Sequence, residues 1–204
     1  MGKSTQMENL AKHLRQRGID VVTTREPGGT SLGEKLRTVL LSSRTSGLSP
    51  LAELALMFAD RAQDIDEQIL PALHRGQWVL CDRFTDSSEA YQGGGREIGA
   101  EAVLHLHKIL CHNLQPDLTI LMVSDVARTV ARARRRNVEQ SKNMADDENR
   151  FEKENRLFYN RVQAAYMAIA KRAPHRVVQV DAADPIAKVQ KKIIRIVEER
   201  LLSN

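Results

Sequence analysis

Met1-Gly2-Lys3-Ser4-Thr5 decides how the rest of the chain is read. It is the second half of a phosphate-binding loop, whose full pattern is Gly, four residues, then Gly-Lys-Ser/Thr between a strand and a helix. The first glycine and the preceding strand are not in the sequence. A Gly-Lys-Ser triplet is common by chance, but this one opens an amphipathic helix. Met7, Leu10, Ala11 and Leu14 recur at helical spacing, and Gly18 ends the run. Backbone N–H groups at such a helix start bind phosphate, and the helix dipole helps. Lys3 is then placed for the β and γ phosphates of a nucleoside triphosphate, and the Ser4 hydroxyl for Mg2+.

Downstream, apolar strands alternate with helices. Ile19 to Thr24, Trp78 to Cys81, Leu118 to Val123 and Val177 to Val180 read as strands. Helices are expected from Leu32 to Leu40, from Ser49-Pro50 to about His74, around Val103 to Leu110, from about Glu148 to Arg172, and after Asp184-Pro185. Ser124 or Asp125 caps a further helix. This alternation predicts an α/β fold with a parallel sheet covered on both faces, three layers in all. No repeat, linker or break in composition divides the chain, so residues 1–204 are expected to form one domain.

The composition is that of an ordinary globular protein, with 28% charged and 42% hydrophobic residues. Two cysteines, Cys81 and Cys111, make no disulfide framework. No run is long enough to cross a membrane, and there is no signal peptide, which fits a cytoplasmic protein. The net charge of +5 suggests an anionic partner. Arg128, Arg132, Arg134, Arg135 and Arg136 fall within nine residues. Beside a phosphate-binding loop, such a cluster favours polyphosphate chemistry over a nucleic-acid face. The polar stretch from Asn137 to Asn149 reads as a loop.

Three more segments carry chemistry. Asp82 ends a strand, where a carboxylate holds Mg2+ in phosphate-loop proteins, and Arg83 beside it suits a phosphate clamp. Thr24-Arg25-Glu26-Pro27-Gly28-Gly29-Thr30 follows a strand directly, where ligands of open α/β sheets bind. Tyr91-Gln92-Gly93-Gly94-Gly95-Arg96 sets an aromatic and an amide before three glycines, which suggests contact with a base or sugar.

Together with Phe58-Ala-Asp-Arg-Ala-Gln63 and Pro116-Asp117-Leu118-Thr119, these segments resemble the bacterial thymidylate kinases, in order from Gly2 to the last helix. The resemblance implies a phosphate-loop nucleoside monophosphate kinase fold and transfer of the ATP γ-phosphate to dTMP, giving dTDP, with Mg2+ as cofactor. It implies that Gly2, Lys3, Ser4 and Thr5 bind the ATP phosphates, with Asp181-Ala182 near the adenine. Ser4, Asp82 and Glu26 would lie by the metal. Arg37 and Arg83 would meet the dTMP phosphate, Arg61 the thymine O4, Ser88 and Gln92 the polar edge of the base, and Tyr91 the deoxyribose. Phe58 or Met57 would cover the base. The arginines match the family's lid, at about 132–150, with Arg132, Arg134 and Arg136 as the catalytic candidates and Arg150-Phe151-Glu152 closing it. The family is generally dimeric, and an apolar face around Leu54 or Val103 suits either a dimer contact or a core. No stable nucleic-acid or membrane partner is expected.

The chain departs from the family most at its start. The family's first strand is central in a five-stranded sheet, between the strands matched by Trp78–Cys81 and Leu118–Val123. Its absence predicts two unpaired inner edges, and losses that rival a typical stability of about 5–15 kcal/mol. The competing readings are a truncated, inactive nucleotide-binding protein, another phosphate-loop (deoxy)nucleotide kinase, and a DNA-directed ATPase. The last predicts a basic stripe that the sequence lacks.

Overall fold

The computed structural model describes residues 2–45, 47–124 and 148–203. Helix α1 (Lys3–Gln16) leads to strand β1 (Val21–Arg25), then α2 (Ser31–Leu41) and α3 (Pro50–Asp64). A π-helical turn (Ile65–Ile69) joins α3 to α4 (Leu70–His74), so the predicted long helix does reach His74. Strand β2 (Trp78–Asp82) is followed by α5 (Thr85–Ser88), a π-helical segment (Glu89–Gly95) and α6 (Ala100–Leu110). Then come β3 (Thr119–Val123), α7 (Arg156–Arg172), β4 (Val177–Asp181) and α8 (Ile186–Val197).

Local chemistry explains the boundaries. Thr30 and Ser49 cap α2 and α3 by accepting from Gly33 N and Ala52 N. One expected helix begins late. Residues 151–153 form a single 3-10 turn, Glu154 is extended, and Asn155 caps α7 by accepting from Phe158 N at 2.9 Å. The polar side chain at 155 competes for the backbone and restarts the helix there. The lid arginines Arg132, Arg134 and Arg136, and the helix expected after Ser124 or Asp125, lie outside the described residues.

The strands do not form the one parallel sheet expected. β1 pairs in parallel with β2, Val21 opposite Trp78 and Arg25 opposite Asp82. β3 pairs in parallel with β4, Thr119 opposite Val177 and Val123 opposite Asp181. Among the described residues these are two separate two-stranded sheets. The edges that should join them face a cavity of about 750 Å3, lined by every residue of β2 and of β3 and by Lys3, Leu10, Ile193 and Val197. Inner strands of a covered parallel sheet are normally its most buried. Here β2 and β3 are half-buried throughout, while the outer strands bury Val21, Thr24, Val177 and Val180.

Three apolar clusters hold the molecule. The first packs Leu10, Ala11 and Leu14 of α1 on Val189, Ile193 and Val197 of α8. In the second, Phe158, Val162 and Ile169 of α7 meet Ala90 and Val177. The third joins Leu54 and Phe58 of α3 to Ile65, Ile69, Val103 and Cys111. Leu54 and Val103 are 1% and 0% exposed, so of their two suggested uses, core is the right one, and they offer no surface for a dimer contact. No described helix is long and apolar enough to cross a membrane.

Candidate active site

The carboxyl ends of β1 and β2 bring the sequence-selected residues together. Register sets Arg25 beside Asp82, and Glu26 N–H donates to the Asp82 carbonyl oxygen at 3.0 Å. Helix α1 starts at the same end. Gly2 takes a left-handed φ of 64°, and Lys3 Nζ lies 3.9 Å from the Asp82 carboxylate. Ser4 and Thr5 stand in this first helical turn, whose N–H groups have no acceptor within the helix. A strand-end carboxylate, a lysine and a helix N-terminus therefore share one mouth.

Arg61 is a buried charge held from several sides. It projects from α3, is 1% exposed, and lies between the rings of Phe58 and Phe84, 4.8 and 5.5 Å from their centroids. Its Nε donates to Glu26 at 2.6 Å and its Nη2 to Ser88 Oγ at 3.0 Å. Its Nη1 is buried with no partner, as is Oε1 of Glu26. Unpartnered buried polar atoms are rare and mark a place where a ligand or water completes the bonding. Phe58 is fully enclosed and Met57 8% exposed.

Two aspartates that the sequence reading passed over hold the Arg-Glu-Pro-Gly-Gly loop. Asp60 accepts from Gly28 N at 2.9 Å, and Asp64 from Thr24 Oγ1 at 2.9 Å. A Cβ on Gly29 would stand 2.3 Å from Thr24 Oγ1 and 2.7 Å from Asp64 Oδ1, so only glycine fits. Arg37 donates to Pro27 O at 2.8 Å and to Glu148 at 2.6 Å. Burial raises all three acids, pushing Glu26 to about 8, Asp60 to about 7 and Asp64 to about 6. Arg61 faces three carboxylates, with Arg37 acting on Asp60 as well, and burial leaves protons to make up the deficit.

The π-helical segment forms the opposite wall. Arg83, at φ 75°, lays its guanidinium over the Tyr91 ring at 5.0 Å, and Tyr91 meets Phe151, Phe158 and Tyr166 edge-on. The glycines are not a loose loop. A Cβ on Gly94 would come within 2.7 Å of Ala165 Cβ, and one on Gly95 within 2.6 Å of Phe158 Cε2. Gln92 is 1% exposed and donates to Glu53 at 2.8 Å. At the far strand pair, Ala182 N–H donates to Val123 O at 2.7 Å and Asp181 accepts from Ala183 N.

Glu26, Asp64 and Cys81 offer ligand atoms within 4.8 Å of one another. Burial pushes the Cys81 thiol up, and it donates to Arg83 O, so it stays a protonated spectator there. Oxygen donors suit Mg2+, and Ser4 and Asp82 at the mouth supply them.

Parallel βα units and a Gly-Lys-Ser helix start facing a strand-end Asp-Arg define an α/β phosphate-loop nucleotide kinase fold. The thymidylate kinase family model matches residues 1–193. A thymidylate kinase of Teredinibacter turnerae is 46% identical over 198 residues, 97% of this chain and 92% of the relative. One from Desulfovibrio desulfuricans is 47% identical over 184 residues, 90% of this chain and 84% of that protein. The crystal structure of thymidylate kinase from Ehrlichia chaffeensis superposes with a TM-score of 0.75 at 31% identity, covering 97% and 92% of the two chains. The chain belongs to the thymidylate kinase family.

Proposed function

We propose that this protein transfers the γ-phosphate of ATP to dTMP, forming dTDP and ADP. The observation that carries the reading is the shared mouth, where Lys3 and Asp82 stand 3.9 Å apart next to Arg83. Gly2 to Thr5 cradle the ATP phosphates, and Asp181-Ala182 pass the adenine. Arg83 and Arg37 clamp the acceptor phosphate, and Arg61, Ser88 and Gln92 read the base over Phe58, with Tyr91 beside the sugar. Little covalent work falls to the protein in phosphoryl transfer, so positioning and charge neutralisation supply the rate. Mg2+ bound by Ser4 and Asp82, with Glu26 near, would neutralise phosphate charge. The arginines of a lid at about 132–150 would do the same from above. Residues 1–204 act as one domain, in the cytoplasm, as a homodimer.

We further propose that the slot between β2 and β3 is the seat of a fifth, central parallel strand. A cavity lined along its length by two strand edges that are unpaired among the described residues fits a further strand better than a ligand. The test is dTDP formation from dTMP, ATP and Mg2+. Loss of turnover in Arg83→Ala, with dTMP binding weakened, supports the clamp, and an unchanged rate removes it.

A further inference from the structure

Glu53 stands in the first turn of α3 and is fully buried. Three side chains converge on its carboxylate. Gln92 Nε2 donates to it at 2.8 Å, Arg96 Nη2 approaches to 3.0 Å, and Arg150 Nη1 to 2.7 Å. Arg96 is shared with Glu154, and Arg150 donates through Nε to Leu40 O and through its backbone N–H to Leu41 O, so both cations are fixed from behind.

A side-chain amide has two unlike ends, a donor NH2 and an acceptor oxygen. A carboxylate facing two guanidiniums only accepts. It can therefore hold Gln92 by the NH2 end alone, and the flipped amide would set oxygen against oxygen. We propose that Glu53 is a specificity-determining positioning residue: by fixing the Gln92 amide it presents an acceptor to the pyrimidine and so selects bases with an N3–H over those with a bare N3. The inference rests on the reading that Gln92 meets the base. Thymine carries a hydrogen on N3, and cytosine carries a lone pair there. Arg61, whose partnerless Nη1 is a fixed donor, discriminates in the same sense at position 4.

Glu53→Gln tests this, because a glutamine at 53 can turn to accept or to donate and lets the Gln92 amide flip. Calorimetric titration with dTMP and with dCMP gives the ratio of dissociation constants. Selectivity for dTMP should fall by about tenfold or more in Glu53→Gln, the size expected when one buried hydrogen bond is no longer mismatched. Misfolded protein lowers the binding-competent fraction for both nucleotides alike, so the ratio is blind to a purely structural role. If Glu53→Gln does not fold, the charge-balanced Glu53→Gln/Arg150→Met variant should show the same fall. Unchanged selectivity in a folded variant overturns the inference. Binding of neither nucleotide by the parent chain overturns the reading of the site, and this inference with it.

Discussion

Replacing Arg61 with methionine keeps most of the buried volume and removes the cation 2.6 Å from Glu26, whose charge also acts on Asp60 and Asp64. Glu26 is then left buried with its Oε1 already partnerless. Breaking a buried ion pair from one side destabilises by about 3–5 kcal/mol. A domain of this size loses about 2–4 °C of melting temperature per kcal/mol, so Arg61→Met should melt about 6–20 °C lower near pH 9. The defect should depend on pH. Glu26 already titrates at about 8 beside Arg61, because burial outweighs the pairing. Without the guanidinium its pKa rises further, so near pH 6 the carboxyl is neutral and the uncompensated charge disappears. The melting difference should then shrink to a few degrees, the residue of lost packing against Phe58 and Phe84. Scanning calorimetry of both proteins at the two pH values reads this directly. A deficit equal at both pH values, or under about 2 °C near pH 9, refutes the reasoning that burial and one shared cation govern this cluster.

Arg83→Ala should lower turnover by about 100-fold or more, the scale of removing one preorganised charge donor, as measured by coupled ADP release. Gly95→Ala places a Cβ 2.6 Å from Phe158 Cε2 and 2.9 Å from Val162 Cγ2, so it should lower stability by about 1–3 kcal/mol in urea unfolding. In the unmodified protein, Glu26, Asp60 and Asp64 keep protons that the unfolded chain releases near its ordinary carboxyl values. Their contribution is complete below those ordinary values and is lost as pH rises through about 6 to 8. The melting temperature should therefore fall over that window, and Asp64→Asn should flatten the fall.

Most elements were legible because apolar periodicity and caps mark them plainly. Leu10, Ala11 and Leu14 do face the core, Ser49 does cap its helix, and strand ends do gather Glu26, Asp82 and Arg83. Other features depend on packing that no local pattern records. Asn155 restarts a helix that Phe151 and Phe158 suggest is continuous. At Gly94 and Gly95, α7 presses on the bare Cα atoms. Glu53, Asp60 and Asp64 were given no role from the sequence, yet all three are buried. They share a helical face with Met57 and Arg61, and charges at that spacing on a buried face were the available signal.

The central claim is the proposal that this protein transfers the γ-phosphate of ATP to dTMP. The direct measurement is dTDP formation from dTMP, ATP and Mg2+, followed by 31P NMR. The account predicts turnover on the order of 1–100 s−1. No dTDP from folded protein that binds both nucleotides would contradict it.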